Sequence, residues 1–309
     1  MTRYILNRLF ANLIALLVII TITFFLMKAI PGDPFTQEKA LPKEILDSLY
    51  EHYKLNDPWY TQYANYLKSI VTWNLGPSFK YKSRTVNEII KSGFPVSAIL
   101  GLEALAISLC IGIAAGSISA LKQNRWQDYG AMLFAVIGIS IPSFILSAFL
   151  QYIFAIKLDL FPVARWGSFA QSVLPALSLA ALPTAFIARL TRANMVEILQ
   201  LDYIKTAKSK GLSEQKVIIK HGLRNALLPV MTYLGTLTAN ILTGSFIIEK
   251  IFGIPGLGQW FINSVTNRDY TVIMGITVFY SIILLSMIFF VDLAYGWIDP
   301  RLKVGKNLT

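Results

Sequence analysis

Long apolar runs alternate with polar segments along the whole chain. A helix that crosses a bilayer needs ~20 mostly apolar residues, because the hydrocarbon offers its backbone no hydrogen-bond partners. Six runs meet this requirement. They predict an all-α, polytopic membrane protein with six transmembrane helices that form a single domain over residues 1–309. The predicted spans lie near residues 9–27, 95–121, 130–156, 173–187, 227–248 and 271–297.

The fourth run is the shortest, and it carries Pro175 and Pro183. Proline lacks a backbone donor and its ring clashes with the preceding turn. Membrane helices tolerate such prolines where neighbouring groups bond the freed carbonyls. The run therefore predicts a kinked helix.

Composition agrees with a membrane location. The chain is 55% hydrophobic and 15% charged, with a mean hydropathy of +0.56, whereas soluble proteins carry about 25% charged residues. A net charge of +11 would suggest nucleic-acid binding in a soluble protein. In a membrane protein it more often records basic cytoplasmic loops, so no nucleic-acid partner is predicted.

Lys and Arg are distributed unevenly among the short loops. They are frequent at the amino end, in the second–third loop, in the fourth–fifth loop and at the carboxyl end, and sparse in the other short loops. Because cytoplasmic loops carry the excess of Lys and Arg, both termini are predicted to be cytoplasmic.

The long segment 31–94 is then predicted to be external. Apolar residues recur at helical spacing after Pro42 and again after Pro58, which predicts two short amphipathic helices. Two interpretations stay open: a docking surface or lid over a pore, or a cap that covers the ends of the spans. The residues that carry the pattern are Ile45, Leu46, Leu49 and Tyr53, then Tyr63, Tyr66, Leu67 and Ile70.

The segment 189–226, predicted to be cytoplasmic, contains the pattern of two helices that meet at a corner. A helix begins near Asp202, Gly211 suits a left-handed C-terminal cap, and Ser213 can cap a second helix. Its basic residues alone fit either a loop attracted to anionic lipid headgroups or a lever that enters a groove on a soluble partner. The ordered pattern favours the lever.

This corner resembles the cytoplasmic loop of permeases in binding-protein-dependent ABC importers. The loop of that superfamily carries Glu-Ala-Ala, three residues and Gly; the matching positions here are Lys205-Thr206-Ala207 and Gly211, without the leading glutamate. The strings 202–213 and 221–230 are similar to the oligopeptide, dipeptide and nickel subgroup, in which a basic form of the loop is usual. Further matches, in chain order, are Pro31-Gly32-Asp33-Pro34, Asp57-Pro58, Gln62-Tyr63, Asn74-Leu75-Gly76, residues 244–258, Arg268-Asp269-Tyr270 and Asp299-Pro300-Arg301.

The resemblance implies the fold of an ABC type I importer permease in the bacterial inner membrane. It also implies short peptides as substrate and, as partners, a second and usually different permease, two ATPase subunits and an external substrate-binding protein. The chain has no GxxxxGK[ST] phosphate loop, so we predict no catalytic residue, metal or cofactor here, with ATP and Mg on the partner ATPase subunits. The resemblance assigns ATPase coupling to Asp202, Tyr203, Lys205, Thr206, Ala207, Lys208, Lys210, Gly211, Leu212, His221, Arg224, Asn225 and Pro229.

The resemblance also places a translocation path between the two permeases, lined mainly by the third, fourth and fifth spans. For most candidates a helix–helix hydrogen bond or close backbone packing is the favoured alternative. Glu103 either lines the path or pairs with a basic residue of a neighbour, since intramembrane acids are costly. Arg189 and Arg192 are interpreted as snorkelling to the interface. The candidates are Glu103, Ser140, Pro142, Ser143, Pro183, Thr184, Gly244, Glu249, Gly253, Gly256 and Gly258.

Other classes of protein fit the sequence less well. An intramembrane enzyme would need a metal or nucleophile constellation, but His52 and His221 are predicted on opposite sides of the membrane, and the HExxH and GxSxG motifs are absent. The single cysteine, Cys110, excludes an internal disulfide and a Cys-based metal site. A secondary transporter would show inverted repeats and would leave the Gly211 pattern unexplained. A nickel importer of the same subgroup stays open, although spans poor in histidine and acidic residues favour peptides.

Overall fold

The computed structural model of the chain describes residues 2–30, 35, 43–81, 83–242 and 246–298. Within these residues the structure is helical, and the β-type pairing is an isolated bridge between Pro77 and Thr85. Two stretches of π-helix, Gln151–Lys157 and Val217–Leu223, follow on from α-helices. In chain order the α-helices are α1 (Thr2–Ala29), α2 (Lys43–His52), α3 (Trp59–Val71), α4 (Val86–Leu121), α5 (Trp126–Ser140), α6 (Ser143–Leu150), α7 (Phe169–Leu199), α8 (Asp202–Ser209), α9 (Glu214–Lys216), α10 (Arg224–Ala226), α11 (Leu228–Leu242), α12 (Phe246–Ile251), α13 (Leu257–Asn267) and α14 (Tyr270–Ile298).

Four helices of the described residues are individually long and apolar enough to cross a membrane, namely α1, α4, α7 and α14. They coincide with the first, second, fourth and sixth predicted spans. The predicted fifth span, residues 227–248, coincides with α11 and the start of α12, and residues 243–245 lie outside the described residues. The two predicted external helices are present as α2 and α3.

The third predicted span, residues 130–156, is broken in the middle. α5 ends at Ser140, and α6 and the π-helix after it continue at an angle of 107°. Ile141 is extended (φ −88°, ψ 120°) and Pro142 is the N-cap of α6. The cause is local, because the Pro142 ring disfavours a helical conformation at Ile141, and Pro142 has no N–H to continue the helix.

α7 extends well beyond the predicted span of residues 173–187. It contains both Pro175 and Pro183 and continues to Leu199, so the first part of the predicted loop 189–226 is helical. The last turns of α7 are polar, so hydropathy predicts a loop there. Thr191 and Met195 in these turns are nevertheless fully buried by the rest of the protein. Hydropathy identifies helices that face lipid, and it underestimates a helix whose end is covered by the rest of the chain.

The chain divides into two compact units. The first comprises Met1–Val96 and Gly256–Leu285. In it α3 packs against α1 through aromatic rings. The centroid of the Phe24 ring is 5.2 Å from that of Tyr63 and 5.9 Å from that of Tyr66. The amphipathic pattern after Pro58 therefore serves to dock α3 on α1.

The second unit comprises Ser97–Pro255 and Ser286–Thr309. In it α4 approaches α7 closely, because Gly112 and Gly116 carry no side chain. A Cβ at Gly112 would lie 2.8 Å from Cγ2 of Ile187, and one at Gly116 would lie 2.7 Å from Cβ of Thr191. Glycines four positions apart on one helix face allow such close packing in membranes. The apolar core around this contact includes Ala104, Ala180, Ile187, Val230, Leu237 and Ile241.

Candidate functional site

α8 and α9 meet at a sharp turn, which we call the corner and define as residues 202–216. α8 ends at Ser209, Lys210 is its C-cap, and Ser213 is the N-cap of α9. Gly211 has φ +77°, a left-handed conformation that costs an L-residue with a side chain energy. The predicted corner is thus present, although Ser213 makes no side-chain capping hydrogen bond.

One face of the corner is anchored. Ile204, Ala207 and Val217 are buried together, with Ile198 and Leu199 from the end of α7 packed against them. The opposite face is exposed and basic. The residues on it are Tyr203, Lys205, Thr206, Lys208, Lys210, Gly211 and Leu212, beside the first residue of α8, Asp202. The corner is therefore a fixed protrusion with a free outer face.

A small polar network joins α8 to the π-helix that follows the corner. The side-chain amide of Asn225 donates to the hydroxyl of Tyr203 (2.9 Å) and to the carbonyl of His221 (3.1 Å), and the Tyr203 hydroxyl donates to the same carbonyl (3.2 Å). A cavity of about 410 Å³ beside it is lined by Lys220, His221, Arg224, Asn225 and Leu228. Pro229 follows in the first turn of α11 and is partly exposed. The structure thus brings the second string of the predicted coupling residues next to the first.

The predicted path residues lie in different surroundings. Ser140 and Pro142 are exposed and Ser143 is partly exposed, at the break between α5 and α6. Pro183 and Thr184 are buried inside α7, where the Thr184 carbonyl faces Gly112. Glu103 is half-buried on α4, and the described residues offer it no hydrogen bond or ion pair.

The described residues among the remaining path candidates lie in α12 and between it and the first turn of α13. Glu249 is fully buried and accepts a hydrogen bond from the Ser97 hydroxyl at 2.7 Å. Gly253 is exposed with φ +60°. Gly256 is the N-cap of α13 and is buried, as is Gly258 in its first turn. Gly244 lies outside the described residues, as do Pro31-Gly32-Asp33-Pro34 and Asp299-Pro300-Arg301 from the family-like motifs.

Arg192, which the sequence analysis interprets as snorkelling to the interface, makes an ion pair that this interpretation did not include. Its Nε and Nη2 donate to Oδ1 (2.6 Å) and Oδ2 (2.7 Å) of Asp128, which is 2% exposed. The same carboxylate accepts from the Ser119 hydroxyl and from the Asn124 backbone N–H (2.9 Å). Hydropathy places Asp128 just before the third span but does not identify its partner. The available signal for the pair was that Asp128 and Arg192 are both predicted at the same face of the membrane.

A second buried carboxylate, Asp269, holds residues 78–80 of the first unit. It accepts hydrogen bonds from the Ser78 hydroxyl, from the backbone N–H groups of Phe79 (3.1 Å) and Lys80 (3.3 Å), and from the Thr271 hydroxyl (3.0 Å). Asp269 is fully buried. Its sequence context resembled a family motif, but the motif did not indicate these hydrogen bonds.

A cavity of about 500 Å³ in the first unit is lined among others by Tyr53, Gln62 and Tyr66, and also by Phe24 of α1 and Met274 of α14. Burial raises the pKa of the Tyr66 phenol above its ordinary value, and Tyr63 raises it further. Burial, and then the charge of Asp269, raise the pKa of Tyr53. Both phenols are thus neutral at physiological pH.

Within the described residues no group of three or more His, Cys, Asp or Glu is placed to hold a metal ion.

Several known proteins are similar to this chain over nearly its full length. The dipeptide transport system permease protein DppB of Bacillus subtilis is 55% identical over 99% of this chain and 100% of its own length. The oligopeptide transport system permease protein OppB of Salmonella typhimurium is 43% identical over 98% of this chain and 100% of its own. DppB of Lactococcus lactis is 40% identical over the same shares.

Two solved structures share the fold. A crystal structure of an amino acid ABC transporter with histidines matches 67% of this chain and 92% of its own, with a TM-score of 0.53 at 18% identity. The MetNI methionine ABC transporter in an inward-facing conformation matches 68% and 94%, with a TM-score of 0.54 at 17% identity. At such identities the likeness speaks for the fold alone.

Two family models account for most of the chain. Residues 1–101 match the amino-terminal membrane component of binding-protein-dependent transport systems. Residues 112–304 match the binding-protein-dependent transport system inner membrane component. The chain belongs to this second family, as a multi-pass permease subunit of a binding-protein-dependent transport system in the inner membrane.

Proposed function

We propose that this chain forms half of the translocation path of an ATP-driven importer for short peptides. Dipeptide and oligopeptide transport are the activities in the names of relatives that match almost all of the chain. These names favour peptides over the nickel alternative. A second permease would supply the other half of the path, and an external binding protein would deliver the peptide.

The corner carries the proposal. Its buried face, formed by Ile204 and Ala207, fixes it to the end of α7, while Tyr203 and the lysines of its outer face stay exposed. A protrusion that is rigid on one side and free on the other suits docking into a groove of a soluble subunit. We assign that subunit as the ATPase, with ATP and Mg bound there, because this chain has no phosphate loop.

The orientation that this requires agrees with the distribution of charge. The corner and its surroundings hold the densest group of Lys and Arg in the chain, and the amino end and the second–third loop are also basic. The positive-inside rule then places these segments, and both termini, in the cytoplasm. The external segment with α2 and α3 would face the binding protein.

Transport would proceed by alternating access, in which nucleotide and loaded binding protein bias one bundle between two states. Closure of the ATPase dimer would push residues 206–210, and the packing of Ile204 against Leu199 would pass the movement to α7. At the break between α5 and α6, the exposed Ser140 and Pro142 are the candidates that we retain for lining the path. The buried Pro183 and Thr184 support helix packing instead.

The proposal is tested by co-expressing the chain with a second permease and the ATPase subunits of the same transport system and reconstituting the complex in liposomes. With binding protein outside and ATP inside, labelled peptide is expected to accumulate in the lumen. Uptake of nickel without peptide would contradict the substrate assignment. A chain that purifies alone and moves solute without ATP would contradict the importer assignment.

Two variants in the corner test the docking role. Gly211→Pro and Lys210→Glu are expected to abolish peptide uptake and weaken co-purification of the ATPase while leaving membrane insertion unchanged. Lys122→Glu is the matched control, because Lys122 is also exposed but lies in the second–third loop. Normal uptake by a Lys210→Glu, Gly211→Pro double variant would contradict the role of the corner.

A further inference from the structure

Asp128 joins three elements of the second unit at one buried carboxylate. Arg192 reaches it from α7 with two hydrogen bonds, Ser119 from the end of α4, and the Asn124 N–H from the turn between α4 and α5. Paired N–H groups of a guanidinium fix both distance and angle to a carboxylate. The pair therefore holds α7 in a defined position against the α4–α5 turn.

The same helix leads from this pair directly to the corner. Two turns beyond Arg192, Ile198 and Leu199 pack on the buried residues of α8. Between them Met195 is buried against Ala120, next to Ser119 on α4, and against Ala226. A continuous path of packed side chains thus connects the corner with the carboxylate of Asp128.

α5 is also attached to α7 at its other end. A Cβ at Gly138 would lie 3.3 Å from both the Ala181 carbonyl and the Ala185 Cβ, so the two helices are in close contact there. Asp128 lies in the first turn of α5, and Ser140 is the last residue of that helix, at the break before α6. A displacement of α7 is therefore applied to α5 at both ends.

We propose that Asp128 and Arg192 are positioning residues that make α5 move together with α7 when the corner is displaced. The inference rests on the proposed function of the corner. In this proposal the pair acts by holding the α4–α5 turn on α7, so that movement of the corner reaches the break at Ser140–Ser143. An ordinary buried ion pair would stabilise the fold without affecting how much transport each ATP drives.

The decisive variant is the double substitution Asp128→Asn with Arg192→Gln. It removes both charges of the ion pair at once. Each single substitution would leave the other charge without its partner. In the reconstituted complex the double variant is expected to keep its melting temperature and its ATP hydrolysis, while the peptide transported per ATP falls about tenfold. Arg192→Lys keeps the charge but loses the paired geometry, and an intermediate ratio is expected.

Arg125→Gln is the matched control, because Arg125 is an exposed cation in the same turn. It is expected to transport peptide at the wild-type ratio. A double variant with the wild-type ratio would overturn the proposal. So would a double variant in which hydrolysis and uptake fall in equal proportion together with the melting temperature, since that result describes a purely structural pair.

A distance measurement separates this inference from the proposed function, because it needs no substrate. Spin labels at Phe134→Cys on α5 and at Lys216→Cys, the last residue of the corner, with Cys110→Ser, report whether α5 and the corner move as one body. In the wild-type background the distance is expected to be the same in the resting and the vanadate-trapped complex, and to split into two populations in the double variant. If wild-type complex imports no peptide, the proposed function fails while this distance still decides the role of the pair. Equal distributions in both backgrounds would overturn it.

Discussion

The Ser97 hydroxyl donates to Oε1 of Glu249 at 2.7 Å, and both residues are almost fully shielded from solvent. They are far apart in sequence, and the bond ties α4 to α12 within the second unit. Losing a hydrogen bond to a buried carboxyl group is costly, because the acceptor has been removed from water and finds no replacement donor. The bond therefore fixes the turn that follows the fifth predicted span.

Ser97→Ala is expected to destabilise the purified complex by about 1–3 kcal/mol, because Glu249 loses one donor in a buried site. A thermal unfolding assay in detergent measures the effect. Ser178→Ala is the matched control, since Ser178 is also buried but donates to the Leu174 carbonyl of its own helix at 2.8 Å. A Ser97→Ala effect no larger than that of the control would contradict the stabilising role of this bond.

Asp269→Asn is expected to loosen residues 78–81 by about 1.5–3 kcal/mol, since the neutral amide accepts more weakly from the Phe79 and Lys80 N–H groups. Hydrogen exchange at residues 78–81 is the direct measurement, and faster exchange is expected there. Asp47→Asn, at an exposed position of α2, is the control and should leave exchange unchanged. Unchanged protection of residues 78–81 in the Asp269 variant would show that the carboxylate does not hold this segment.

Gly116→Ala is expected to destabilise the protein by about 1–3 kcal/mol, because an added Cβ would collide with the Ala188 carbonyl and with Cβ of Thr191. Gly130→Ala is the matched control on α5, where a Cβ meets nothing within 4 Å. There the better helix propensity of alanine should stabilise by up to about 1 kcal/mol. Melting temperatures that move in the same direction for both variants would contradict the close packing of α4 and α7.

The sequence was most informative where the physical cause is local. The corner depends on one residue with a left-handed conformation, Gly211, between two short helical patterns, so its form could be predicted. The break at Pro142 has an equally local cause, but proline alone does not decide the outcome. Pro175 and Pro183 lie within α7, which stays helical throughout.

The pairing of Asp128 with Arg192 could not be predicted from local pattern. The two residues are 64 positions apart, and their contact depends on the rotation of two helices about their axes. Hydropathy gives the existence of a span but not that rotation, which packing decides at residues such as Gly112 and Gly116. The end of α7 was missed for a related reason, because its polar turns are covered by protein and not by lipid.

The conformation of Gly211 gives the sharpest test of the corner. Its φ is +77° and a Cβ there would meet nothing within 4 Å, so substitutions are limited by backbone strain and not by space. Asparagine tolerates this conformation, whereas a β-branched residue does not. Gly211→Asn is therefore expected to retain most ATPase co-purification and peptide uptake, and Gly211→Val to lose both, with equal amounts of each variant in the membrane.

Gly211→Pro is expected to reduce co-purification and uptake at least as much as Gly211→Val. The fixed φ of proline near −65° excludes the native conformation, and proline lacks the N–H that bonds the Lys208 carbonyl at 3.0 Å. Equal uptake by the Asn, Val and Pro variants would mean that the left-handed turn is not needed for coupling.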